Sequence, residues 1–216
     1  MYLQPPFEEL RTEVLHRYMR AHPLATFIVT VSGEIVVNHM PLQLDSSAGE
    51  YGALRGHIPR DNPIREALEA SVTAVAVFQG ANTYITPSWY PSKHADGKAV
   101  PTWNYAVVHA HGRPRLIDNA EWLLGHLEQL TDEHESRQAL PWKVSDAPKE
   151  YTERMIRRLV GLEMPITKLV GKWKVSQNRP KGDRLGVAAG LASQGDAHSA
   201  AMAELVMQAS ARSDGV

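Results

Sequence analysis

Two groups of residues in this chain have the types and spacing to act on a bound molecule. Arg55 and His57 stand two apart in a stretch with strand character, so their side chains leave the same face. Arg60 follows, where Asp61 or Asn62 can cap a short helix. A guanidinium beside helix N-terminal N–H groups traps an anion, because fixed donors and the helix dipole act on the same oxygens. The second group is aromatic. Trp89 and Tyr90 follow Pro87-Ser88, Trp103 and Tyr105 follow Pro101-Thr102, and a polar loop from Ser92 to Lys98, with Asp96-Gly97 as its turn signal, joins the two runs. Two strands joined in this way would set aromatic walls and Lys93 around one cleft, a shape suited to a flat, anionic ligand. Asn38, His39, Ser88 and Asn104 could supply hydrogen bonds at the edge of such a ring. The same aromatics would serve equally as core, and the same charges as an ordinary surface loop.

The elements that must position these residues can be read from periodicity. Phe7 to Ala21 places Leu10, Val14, Leu15 and Tyr18 at helical spacing, and His22-Pro23 ends that run. Leu24 to Val31, the turn Ser32-Gly33 and Glu34 to Leu44 read as a hairpin whose second strand has apolar residues on both faces, so it should be covered on both sides. Strands follow at Gly49 to His57 and Val72 to Phe78. From Pro101 to Ile117, Trp103, Tyr105, Val107, His109 and His111 alternate with Thr102, Asn104, Ala106, Val108 and Ala110; the small face predicts close approach of another backbone, a subunit or a planar ligand. Asn119 caps a helix to about His134 with Trp122, Leu123, Leu127 and Leu130 inward, and a second helix runs from Lys149 to Leu159. A last strand, Leu162 to Ser176, sets Lys168, Lys172 and Lys174 on a solvent-facing side, ahead of helices at Leu185 to Leu191 and Ala197 to Arg212. This pattern predicts a mainly β, α+β chain: an antiparallel barrel with N-terminal, middle and C-terminal helices.

Composition narrows the function classes. The 216 residues are 43% hydrophobic, enough for a real core, and include no cysteine, which excludes disulfides, thiolate metal sites and thiol chemistry. No apolar run is long enough to span a membrane, so the chain reads as soluble, and with no cysteine the cytoplasm is its default location. Charge is nearly balanced, 23 basic against 24 acidic residues, but Arg154 to Arg184 holds nine basic residues against two acidic ones. Lys168, Lys172 and Lys174 in that segment are the candidate contacts to nucleic acid, although lysines on a half-exposed strand also serve simply to block edge-to-edge aggregation. His109 and His111 share a face without a carboxylate partner, so no metal site is expected.

Several motifs carry a resemblance to a known family. PSWYPSK and VPTWNY at residues 87–93 and 100–105, with AHPLATF at 21–27, NHMPL at 38–42, LRGHIPRDNP at 54–63, FQGANTYITPSWY at 78–90 and KWKVSQNRPKGDRLGVAAGL at 172–191, occur in one order along nearly the whole chain. Together they resemble the PaiB-like FMN-binding negative transcriptional regulators. That resemblance implies the FMN-binding split β-barrel as a single domain over 1–216, with 178–216 as its C-terminal helical extension. It also implies a cytoplasmic homodimer with FMN at the subunit interface. Arg55, His57, Arg60 and Lys93 would then hold the phosphate, while Asn38, His39, Ser88, Trp89, Trp103 and Asn104 surround the ring. Regulation through DNA, direct or indirect, is implied by the family alone, because no DNA-reading motif is present. The competing expectation for the same fold is an enzyme, either a flavin-dependent oxidoreductase or a haem-binding, haem-degrading protein; nothing selects an axial ligand among the ten histidines.

Overall fold

The computed structural model describes residues 1–70, 72–93 and 97–213. The turn signal at Asp96 and residues 214–216, the last three of the end that sequence reads as frayed from Ser213, lie outside the described residues. Among the described residues nine strands are present: β1 (Glu8–Glu9), β2 (Leu24–Val31), β3 (Glu34–Pro41), β4 (Gln43–Asp45), β5 (Ala53–Pro59), β6 (Ala74–Ile85), β7 (Thr102–Gly112), β8 (Arg115–Ile117) and β9 (Leu159–Lys174). They hydrogen-bond in the order β3-β2-β6-β7-β9-β5-β4, with β1 and β8 also on β9. The register is antiparallel at β2/β3, β2/β6, β4/β5, β5/β9, β1/β9 and β8/β9. Among the described residues the α-helices are α1 (Thr12–Ala21), α2 (Ile64–Glu69), α3 (Ala120–Glu135), α4 (Lys149–Ile156), α5 (Lys181–Ala192) and α6 (Ala197–Ser213).

The chain divides into two compact units. A terminal unit comprises 1–15, 79–109 and 170–216, and a central unit comprises 16–78 and 110–169.

In the central unit the β2/β3 hairpin turns at Ser32 and Gly33, both left-handed at φ 50° and 89°, as the mirror-image turns that match strand twist require. Ala25, Phe27 and Val29 of β2 are buried alternately, a period-2 core face. The expectation that β3 is covered on both sides does not hold. It ends the hydrogen-bonding order, and Ile35 (73% accessible) and Val37 are exposed. β-branched residues there satisfy strand propensity without burial. The α3 helix starts where Asn119 accepts a hydrogen bond from the Trp122 N–H at 2.8 Å, the predicted cap. The Trp122 indole fits over Gly161 of β9, where a Cβ would come within 2.3 Å of the ring. Only glycine admits this contact, which fixes the first turns of α3 against the β9 backbone. Gly161 in turn pairs with His57 of β5.

In the terminal unit the expected helix from Phe7 begins only at Thr12, because Glu8 and Glu9 instead pair with Lys172 and Gly171 of β9. The long helices α5 and α6 bury Val187, Leu191, Met202 and Val206. Trp89 packs on α5: a Cβ at Gly190 would lie 2.3 Å from its ring, and one at Gly186 would lie 2.1 Å from its carbonyl oxygen. The small face of β7, from Asn104 through Ala106 and Val108, is buried as its composition predicts.

Candidate functional site

The central unit contains Asn38, His39, Arg55, His57 and Arg60. Most of their polar capacity is already committed. Arg55 bonds Asp45 at 2.9 Å and Glu163 at 3.0 Å, and Arg115 reaches the other Glu163 oxygen at 2.5 Å. Burial alone would raise the Glu163 carboxyl, but hydrogen bonds and charge from Arg115 and Arg55 outweigh it and hold the group below the usual carboxylate range. Arg60 makes a two-pronged contact with Asp118 and donates from Nε to the Arg157 carbonyl at 2.9 Å. The Asp118 hydrogen bond raises the guanidinium above its ordinary value. The α2 helix is short and starts after Pro63, and the Asn62 carboxamide accepts from the Ile64 N–H at 3.1 Å. Asn38 is half-buried and accepts from Asn62 at 3.3 Å, while His39 is exposed.

His57 differs from its neighbours. Its Nδ1 lies 3.2 Å from Nε2 of His126, and no described residue bonds its Nε2. Burial lowers His57. His126 is 4% exposed and is stacked on Trp122 at a centroid distance of 5.3 Å; burial, then His57 and Arg55, lower it to about 4. Both rings are therefore neutral near pH 7. Beside them a cavity of about 240 Å³ is lined by Arg55, Trp122, Gly125, His126 and Gln129. Periodicity reading missed His126. The signal was present, since it lies four residues after Trp122 and three after Leu123 on the inward stripe, but that search admits only apolar residues.

The terminal unit contains Ser88, Trp89, Lys93, Trp103 and Asn104. Ser88 and Lys93 are exposed, and Trp89 is committed to α5. Trp103 is 51% exposed; its Nε1 donates to Asn82 at 3.2 Å and its ring meets Tyr84, itself 48% exposed, edge to face at 6.3 Å. Asn104 is buried and donates to Ser176 Oγ at 2.9 Å, while its own Oδ1 is buried without a partner. Ser176 is left-handed at φ 66°, a strained setting for a residue with a Cβ.

The solvent-facing lysine stripe needs correction. Lys172 is 7% exposed, donates to the Tyr2 carbonyl at 3.0 Å, and lies over the Tyr2 and Tyr105 rings at 5.7 and 5.5 Å. Lys174 donates to Thr102 Oγ1 and, at 2.5 Å, to the Trp103 carbonyl. Burial, then the charges of Lys172 and Arg179, lower its ammonium below the ordinary value. Arg179 lies over the Tyr90 ring at 4.8 Å. Only Lys168 of the stripe is exposed. The N-terminal segment covers Lys172, a long-range contact that strand alternation does not reveal.

The sheet decorated with helices is a split β-barrel fold. The chain belongs to the family described as "Putative FMN-binding domain", whose model matches residues 1–168. It is 32% identical over 243 aligned positions to an uncharacterized protein of Emericella nidulans, covering 96% of this chain and 97% of that one. It is also 26% identical to the protease synthase and sporulation protein PAI 2 of Bacillus subtilis, covering 95% of this chain and 96% of that one. Among solved structures, the FAD and heme binding protein of Mycobacterium smegmatis aligns with a TM-score of 0.59 at 15% identity, covering 77% of this chain and 73% of that one. No described helix is long and apolar enough to cross a membrane.

Proposed function

We propose that this chain is a cytoplasmic FMN-binding split barrel, a single domain over 1–216 extended by the helices of 178–216, which works as a homodimer and as a negative transcriptional regulator of the PaiB-like kind. The observation that carries the flavin part is the exposed Trp103–Tyr84 pair. Large aromatic faces left in water on rigid strands favour a planar ligand or a second subunit that covers them. Trp103, with Asn82 fixing its indole, is the wall of choice. Trp89 serves as packing for α5. Arg55 and Arg60 already hold carboxylates, so within the central unit His57 is the residue best suited to an anion, and within the terminal unit the exposed Lys93 is. Such a group would supply flavin redox or ligand-sensing chemistry when bound; the chain's own residues orient it and neutralise its charge. Direct contact with nucleic acid would fall to Lys168, since Lys172 and Lys174 are engaged inside the terminal unit.

A second reading, a flavin oxidoreductase or a haem-binding protein of the same fold, is supported by the ligands of the mycobacterial neighbour. One experiment separates these readings. The protein is purified and denatured, and the released small molecule is identified by mass and visible spectrum. FMN is the expected result, with binding weakened about tenfold by Trp103→Ala, a loss of about 1.4 kcal/mol, on the scale of a stacking ring. Released haem would favour the second reading. Failure of the purified protein to bind added FMN would remove the proposal.

A further inference from the structure

We infer that His126 is a positioning residue: it carries its proton on Nε2, donates it to His57 Nδ1, and thereby fixes His57 as the tautomer whose Nε2–H can donate to an anion. This deepens the reading above, and rests on it for the identity of the anion, the flavin phosphate.

The 3.2 Å contact between the two rings requires one N–H and one lone pair. If His57 donated from Nδ1, a neutral His126 would accept at Nε2 and carry its proton on Nδ1. That atom is buried without a partner, so the arrangement would leave an orphaned N–H in the interior. In the reverse arrangement the orphan is a lone pair, the less costly of the two. The choice has a functional consequence. With His126 as donor, His57 must hold its own proton on Nε2, the nitrogen that no described residue bonds. The wrong tautomer would present a lone pair to the phosphate and repel it.

The packing that enforces this is local. Trp122 seated over Gly161 places α3 on β9, the next turn stacks His126 on Trp122, and the β5/β9 register brings His57 opposite Gly161. The charged group acting on the pair is Arg55 on β5, itself bonded to Glu163 of β9, which also holds Arg115 of β8. Burial, then His57 and Arg55, oppose a second proton on His126, so the pair stays neutral.

The primary test needs no flavin. In uniformly ¹⁵N-labelled wild-type protein at neutral pH, both imidazoles should give the Nε2–H pattern; a proton on Nδ1 of either ring overturns the inference. The second test measures FMN affinity as a function of pH. His126→Gln keeps an N–H where Nε2 stands and should bind close to wild type. His126→Leu should bind about tenfold more weakly at neutral pH, the scale on which an orienting partner acts on a ligating histidine. In that variant affinity should also rise as pH falls, because His57 becomes free to take a second proton, whereas wild type should stay flat. A His126→Leu protein that binds with wild-type strength and profile would overturn the positioning role. If wild type does not bind FMN at all, the proposed function fails, while the tautomer result still decides the proton arrangement.

Discussion

Cations around the candidate site are held in two different ways. In the central unit, Arg55, Arg115 and Arg60 rest on carboxylates, namely Asp45, Glu163 and Asp118. In the terminal unit, Lys172 and Arg179 rest on tyrosine rings, and Lys172 and Lys174 on carbonyl and hydroxyl oxygens, none of which neutralises charge. The first arrangement is a closed network that holds strands in register. The second leaves net positive charge beside an exposed ring wall, where burial, and then Lys172 and Arg179, depress the Lys174 ammonium. Proximity of basic residues in sequence is therefore a poor guide to anion binding. What matters is whether each cation has already met a carboxylate.

The largest expected effect comes from opening the closed network. Glu163 is nearly buried and shared by two guanidiniums, so Glu163→Gln should cost about 2–4 kcal/mol, read from urea unfolding near pH 7. The sign with pH is specific. A carboxyl held low in the fold contributes stability above its unfolded pKa and loses it as pH falls through the folded one. The gap between wild type and variant should therefore close in acid. The lowered histidines add an acid limb beginning near 6.5 and ending near about 4 for His126, but both proteins share it and it cancels in the difference. A gap that stays constant with pH would show that Glu163 acts through packing alone.

The next effect lies in the terminal unit and probes packing without charge. Gly190→Ala would drive a Cβ against the Trp89 indole, with ring atoms at 2.3, 2.4 and 2.6 Å. Alanine favours a helix over glycine by about 1 kcal/mol, yet overpacking of a rigid ring costs about 1–3 kcal/mol, so the net change should be destabilising. A lower Tm is the expected outcome; an unchanged or higher one would mean that Trp89 is loosely seated and available as a ligand wall after all.

These contrasts mark what the sequence could and could not disclose. Local signals read well: β2 begins and ends at Leu24 and Val31 as predicted, Asn119 caps α3, and the small face of β7 is buried. Motif order gave the family and the fold. Partnerships set by distant segments did not read. Alternation placed Lys172 in solvent because nothing near it in sequence announces Tyr2, 170 residues away. Arg60 was assigned to the mouth of α2, whereas its bidentate partner Asp118 comes from the loop before α3. His126 was overlooked because its position on the inward stripe of α3 is legible only to a reading that admits polar rings as well as apolar side chains.

The smallest effect is opposite in sign and completes the comparison. Gly125 lies mid-helix in α3, and a Cβ there would meet nothing within 4 Å. Gly125→Ala should therefore raise stability by about 0.5–1 kcal/mol, the helix-propensity gain with no packing cost. The same substitution thus destabilises α5 and stabilises α3, because one glycine admits an indole and the other borders the cavity shared by Arg55, Trp122 and His126. Repeating the measurement with FMN present sharpens this further. If nothing enters that cavity on binding, the gain persists and FMN affinity is unchanged. If the flavin or a second subunit reaches over Gly125, the added methyl lowers affinity while the unbound protein stays more stable, and the divergence of the two numbers would extend the binding surface along α3.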